Sequence, residues 1–172
     1  MMVSVREIPR SSTPPGGYGD PSSARHERQM PAPVLSSCDD ALDEGVPDLR
    51  GLWRAVEVRV GGDLAARSDD QAGRMWDHVE RIEQAGSRVV ITGGGVVHDF
   101  FSCDGTEENG LHDVMASDFL TPLVVSAAYE SGVLVLRPVG LPGIEVKRWR
   151  EGDELIFEYS LFFTVRLQRD QG

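Results

Sequence analysis

From Leu49 onward the chain repeats one pattern, a short apolar or alternating run closed by a turn signal. Residues 52–60 stop at Gly61-Gly62, 88–92 at Gly93-Gly94-Gly95, 123–130 at Ser131-Gly132, 133–139 at Leu141-Pro142-Gly143 and 144–149 at Glu151-Gly152-Asp153. Runs at 78–84, 96–102 and 111–116 and a longer one at 154–168 complete the series. Runs of this length at hairpin spacing are the mark of antiparallel strands that pair with their chain neighbours. The pattern therefore predicts an all-β domain over 49–172, an antiparallel up-and-down β-barrel of about 8–9 strands. The stretch 63–77 lacks a clean apolar stripe and contains Gly73, so it reads as a loop with one or two helical turns at the barrel mouth.

Residues 1–48 do not share the pattern. They carry Pro9, Pro14, Pro15, Pro21, Pro31, Pro33 and Pro47 and no sustained apolar period. Such a segment buries too little apolar surface to offset its ordering entropy. It is expected to be a flexible tail, either a disordered leader or a lid that orders over a ligand. Val3, Val5 and Ile8 have the makings of a short strand, and Ser37 those of an N-cap for one helical turn.

The formal net charge of −11 argues against partners bound through phosphate. Neither nucleic acid nor an anionic membrane surface is expected, and no apolar run approaches the ~20 residues of a membrane span. The start MMVSVREIPR has charges where a signal peptide needs its apolar stretch, so a cytoplasmic location is expected. Cys38 and Cys103 are then expected to be reduced thiols, though a bridge from tail to barrel stays open. A homodimer is also open.

The first strand opens with Gly51-Leu52-Trp53 and the last run ends in Val165-Arg166-Leu167-Gln168-Arg169. This resembles the calycin superfamily of lipocalins and fatty-acid-binding proteins, in which Trp of a G-x-W plugs the closed end of the barrel and a late Arg packs across it. A long tail before a small barrel, with an arginine-rich composition in which Lys147 is the only lysine, also resembles the spiro-forming [4+2] cyclases of actinobacterial polyketide pathways. That resemblance implies a tail that closes over the mouth and an apolar substrate folded inside.

Alternate residues of a barrel strand point inward. The apolar phase of the last run puts Leu155, Phe157, Tyr159, Leu161, Phe163 and Val165 inside. The Trp53 phase of the first strand puts Ala55, Glu57 and Arg59 inside and leaves Val56, Val58 and Val60 outside, in need of cover from the tail. The opposite phase makes the more ordinary core, and the calycin resemblance favours the Trp53 phase. His98-Asp99 and His112-Asp113 look reactive, yet adjacent residues face opposite sides of a strand and a metal needs three or four converging ligands. No metal and no cofactor are expected. A pericyclic cyclisation needs only a shaped pocket and a hydrogen-bond donor. Candidate catalytic donors are His98, Tyr129 and Tyr159; candidate substrate-binding residues are Glu57, Phe100, Met115, Trp149 and Phe157. The two functional readings are a cofactor-independent cyclase of polyketide-type substrates and a non-catalytic carrier of an apolar or amphipathic small molecule.

Overall fold

The computed structural model describes residues 2–19 and 29–170. Its strands in chain order are β1 (Gly51–Val60), β2 (Asp63–Leu64), β3 (Val79–Ala85), β4 (Arg88–Gly93), β5 (Val96–Phe100), β6 (Leu111–Val114), β7 (Pro122–Glu130), β8 (Val133–Pro138), β9 (Val146–Glu151), β10 (Glu154–Tyr159) and β11 (Phe163–Arg169). They form one antiparallel sheet in the order β5-β4-β3-β1-β11-β10-β9-β8-β7-β6, with β2 folded back on β1. The two edges, β5 and β6, come side by side and nearly close the sheet into a barrel. Among the described residues helix is confined to two 3₁₀ turns, Val5–Glu7 and Gly73–Asp77. Among the described residues no helix is long and apolar enough to cross a membrane.

The eleven strands exceed the expected 8–9 for two reasons. β2 is only two residues long. The run 154–168 is not one strand: it reverses at Ser160–Phe162 into β10 and β11, with Tyr159 paired to Phe163. No glycine or proline marks that turn; Ser160 takes a positive φ of 47° instead. Leu161 therefore sits at the exposed tip rather than on the inner face.

A bulge between Ala55 and Glu57 settles the phase of β1. Trp53 and Ala55 face inward as the calycin pattern requires. The extra residue then shifts the pleat, so Val58 points inward opposite Val165 and Glu57 outward opposite Arg166. Trp53 is fully buried and its Nε1 donates to the Leu49 carbonyl at 3.0 Å. The Arg169 guanidinium lies 4.5 Å from its ring centroid. Gly51 belongs to this plug: its φ is +149°, and a Cβ there would collide with Arg169.

The two ends of the barrel differ. At the Trp53 end Leu49, Val89, Phe100, Leu111, Leu134, Leu155 and Leu167 are buried. At the other end Ala65, Met75, Trp76, Leu123, Val146 and Tyr159 pack on the same core yet stay partly exposed. The 3₁₀ turn within 63–77 lies here, as expected, with Trp76 Nε1 donating to the Ala65 carbonyl at 3.0 Å.

The described part of the tail lies on the outer wall of the barrel. Ile8, Tyr18 and Leu35 bury themselves against Ala85, Val90 and Val97, the outward residues of β3, β4 and β5. The expected cover over Val56, Val58 and Val60 is absent among the described residues. The expected Val3–Ile8 strand is a 3₁₀ turn instead, because Ser4 and Glu7 make a reciprocal capping box. What holds the tail is polar pairing that composition does not reveal. Val34 and Leu35 donate their N–H groups to Glu83, and Leu49 donates to Gln84. Arg88 and Asp99, outward on β4 and β5, form a buried ion pair at 2.6 Å. Arg88 also donates to the carbonyls of Val5, Ile8 and Pro9, and Asp99 accepts from Ser11 N–H.

The tail also crosses the β5/β6 seam, where no strand ladder runs. Val97 N–H of β5 donates to Thr13 Oγ1 at 3.0 Å, while Thr13 N–H donates to Asp113 of β6 at 3.0 Å. Arg10 reaches the carbonyls of Glu108 and Gly110. Within the barrel the His98 ring spans the same seam. Cys38 and Cys103 are free thiols.

Candidate functional site

Inward positions of β3 and β9 place a charged cluster inside the apolar barrel. Glu80 and Arg148 face each other as a bidentate pair, Nε to Oε2 at 2.7 Å and Nη2 to Oε1 at 3.1 Å. His78, just before β3, contacts Glu80 Oε1 through Nε2 at 2.7 Å. Both partners of the pair are buried, Glu80 completely. Gly93 makes the room: it is the register partner of Glu80, and a Cβ there would come within 2.9 Å of the Glu80 Cβ. The Arg148 guanidinium also lies 4.1 Å from the Phe157 ring centroid, the spacing of a cation–π contact.

Burial by itself raises the Glu80 pKa, but Arg148 and His78 outweigh it and hold the carboxyl at about 2. The pair is thus ionised, one negative charge for one positive. It is not complete. Arg148 Nη1 is buried and has no hydrogen-bond partner. An unmet buried donor costs roughly 1–3 kcal/mol, so its retention in the barrel interior is notable.

His98 of β5 points inward beside this cluster, while Asp99 points outward to Arg88, the opposition expected of adjacent residues. His98 Nε2 lies 3.0 Å from the Val114 carbonyl across the seam, so Nε2 carries the proton and Nδ1 is an acceptor. Burial pushes the His98 pKa down, and the Arg148 charge acts in the same sense. His98 is therefore a neutral imidazole in the wall of the site. His112 is exposed and bonds the Glu107 carbonyl. Among the described residues no group of metal-ligating side chains converges.

The other expected site residues divide. Phe157 is in the site, stacked on Phe163 with centroids 6.0 Å apart. Phe100 faces inward but in the sealed end, as does Tyr129. The Tyr129 hydroxyl accepts from Gln84 Nε2 at 2.9 Å, and burial raises its pKa. Burial also pushes the neighbouring Cys103 thiol up to about 12. Tyr129 and Cys103 are thus protonated members of a structural network that ties Gln84 to Leu49 and Pro47. Tyr159 and Met115 lie at the open end, Tyr159 stacked on Phe163 and Met115 at the start of the β6–β7 connection. Glu57 and Trp149 are corrections. The bulge turns Glu57 outward, where it pairs with Arg59 at 3.0 Å. Trp149 alternates with the inward Arg148 and faces outward, its Nε1 donating to Glu151 at 3.1 Å. Glu80, Arg148 and His78 were not expected, because HVERIEQ and VKRWRE read equally well with their charges on a solvated face.

No protein-family model matches this chain, and no curated protein matches it in sequence. Among solved structures it is similar to human cRBP IV, at 19% identity and a TM-score of 0.52, over 72% of this chain and 98% of that one. At that identity the likeness speaks for the fold, a calycin-type barrel, which agrees with the Trp53–Arg169 plug. It leaves the expected cyclase without support from a relative.

Proposed function

We propose that the chain is a carrier that takes an apolar small molecule into the barrel through the end opposite Trp53. The supporting observation is where apolar surface is left in water. Of the eight exposed large hydrophobic side chains among the described residues, only Met2 is in the tail; Val60, Leu64, Leu120, Val139, Leu141, Leu161 and Phe162 all lie on the strand ends and connections of that one end. Apolar surface gathered on one rim marks a binding entrance rather than random exposure. Behind it stand the half-buried Met75, Trp76, Leu123, Val146 and Tyr159.

The test is native purification followed by extraction and mass spectrometry, together with titration of the neutral apolar dye Nile red. A co-purified small molecule, or saturable dye binding that the double variant Leu161→Asp/Phe162→Asp weakens without loss of fold, supports the reading. A wild-type barrel that carries nothing and does not bind the dye refutes it. The cyclase reading uses the same barrel interior with turnover added: a polyene recovered as a ring-closed isomer of equal mass supports it, and recovery unchanged supports the carrier.

A further inference from the structure

The charge balance inside the barrel carries a statement about the ligand, resting on the reading that the barrel binds one. Arg148 could serve an anionic head group, but its charge is already matched by Glu80 at 2.7 Å. What remains is the terminal NH2 group of Nη1, buried and without a partner. Of the titratable groups around it, His78 is engaged by Glu80 Oε1 at 2.7 Å, and no other offers an unpaired positive charge. His98 is held neutral by burial and by Arg148 itself, and Asp113 on β6 is acidic. We propose that Glu80 sets the ligand class: by neutralising Arg148 it leaves Nη1 as a donor for an uncharged oxygen, a carbonyl or hydroxyl on an otherwise apolar molecule, and rejects carboxylates.

The chemistry follows from the cost of burying charge. A carboxylate in this interior would sit near Glu80 with no unpaired cation to meet it, and an isolated buried anion is strongly disfavoured. A ketone or alcohol oxygen accepts the Nη1 hydrogen bond without adding charge. A hydrogen bond from a charged donor is among the stronger ones, so the acceptor fixes which end of the ligand enters first. The Phe157 face, stacked on the same guanidinium, gives the adjoining carbon skeleton an apolar wall.

The test displaces Nile red with three probes of one chain length, 2-decanone, 1-decanol and decanoate, at pH 8, where the acid is ionised. Wild type is expected to bind the ketone or the alcohol at least about tenfold more tightly than decanoate, a difference of about 1.4 kcal/mol. Glu80→Gln removes the neutralising charge, and the order is expected to invert in favour of decanoate. The double variant Glu80→Leu/Arg148→Met keeps the interior uncharged and fully apolar. It guards against a misfolded single variant, and it should bind 1-decanol no better than its lost hydrogen bond allows, at least about fivefold weaker than wild type. Equal affinity for decanoate and the neutral probes in wild type overturns the proposal, as does an unchanged order in folded Glu80→Gln. A protein that binds neither the dye nor any probe overturns the carrier reading itself, which is a different outcome.

Discussion

The Arg88–Asp99 pair is the point where tail and barrel depend on one another, and Arg88→Met tests that dependence. Arg88 has five N–H groups and five acceptors: two on Asp99, two carbonyls at Val5 and Ile8 on Nη1, and the Pro9 carbonyl on Nη2. Removing the guanidinium leaves the Asp99 carboxylate buried, with Ser11 N–H as its remaining partner, and strips three tail carbonyls. Breaking a buried pair by deleting one member costs about 3–5 kcal/mol. Against the usual 5–15 kcal/mol of a domain, that is a large share. At roughly 2–4 °C per kcal/mol for a chain of this size, Tm should fall by about 6–20 °C. Urea melts give the free energy, and limited trypsinolysis read by mass gives the state of the tail, since Arg6 and Arg10 should be cut faster once the carbonyls are released. Arg88→Met/Asp99→Leu should recover part of the loss, because no buried charge is left unpaired. Arg137→Met, at an exposed pair with Glu130, should cost no more than ~1 kcal/mol. If Arg88→Met stays within about 1 kcal/mol of wild type and cleavage after Arg10 is unchanged, the tail merely adheres and the reasoning fails.

Trp53→Ala should cost roughly 3–5 kcal/mol in a urea melt, and a loss below about 0.5 would mean that the indole is not the plug. Gly51→Ala should also destabilise, through its positive φ and the collision with Arg169; a neutral result would contradict that geometry. Acid sensitivity follows from Glu80, whose folded pKa of about 2 lies below its ordinary value of 4.5. Its contribution, about 3 kcal/mol, is fully present above the unfolded pKa and lost as pH falls from roughly 5 to 2. The lowered His98 pKa acts in the same sense below its ordinary value, because the unfolded chain binds that proton first. Urea melts across this range should show a steeper decline for wild type than for Glu80→Leu/Arg148→Met, and equal slopes would remove the ion pair from the account.

The barrel was legible because a period of two and glycine turns are local signals. Trp53 and its late arginine were legible because they mark a fixed place in the topology. The strand number was missed where the chain turned without glycine: the Tyr159-Ser160-Leu161-Phe162-Phe163 reversal keeps odd residues inward on both sides, so the apolar alternation runs through the turn as though nothing happened. The phase of β1 was undecidable from its residues, since the bulge after Ala55 makes each candidate phase right for half of the strand. The docking of the described tail residues was not legible for a similar reason. The tail's proline content argues for disorder, but its docking depends on backbone groups bonded to Glu83, Arg88 and Asp99, and backbone acceptors leave no trace in composition.

Two arginine–carboxylate pairs in one small barrel, one outside and one inside, bear on what each is for. Both are buried, and by sequence alone neither differs from a solvated pair. Outside, Arg88 has a partner for every N–H, three of them supplied by the tail that covers it. A polar group satisfied that fully has nothing left to offer a ligand, and its role is to join tail to wall. Inside, Arg148 has the same bidentate hold on its carboxylate, but none of the described tail residues enters to complete it, and Nη1 is left over. The barrel could have closed that gap with a carbonyl, as the outer pair does, or removed it with a hydrocarbon side chain at little cost. The pair that is complete serves the fold, and the pair that leaves Nη1 without an acceptor is where the proposed ligand would place its oxygen.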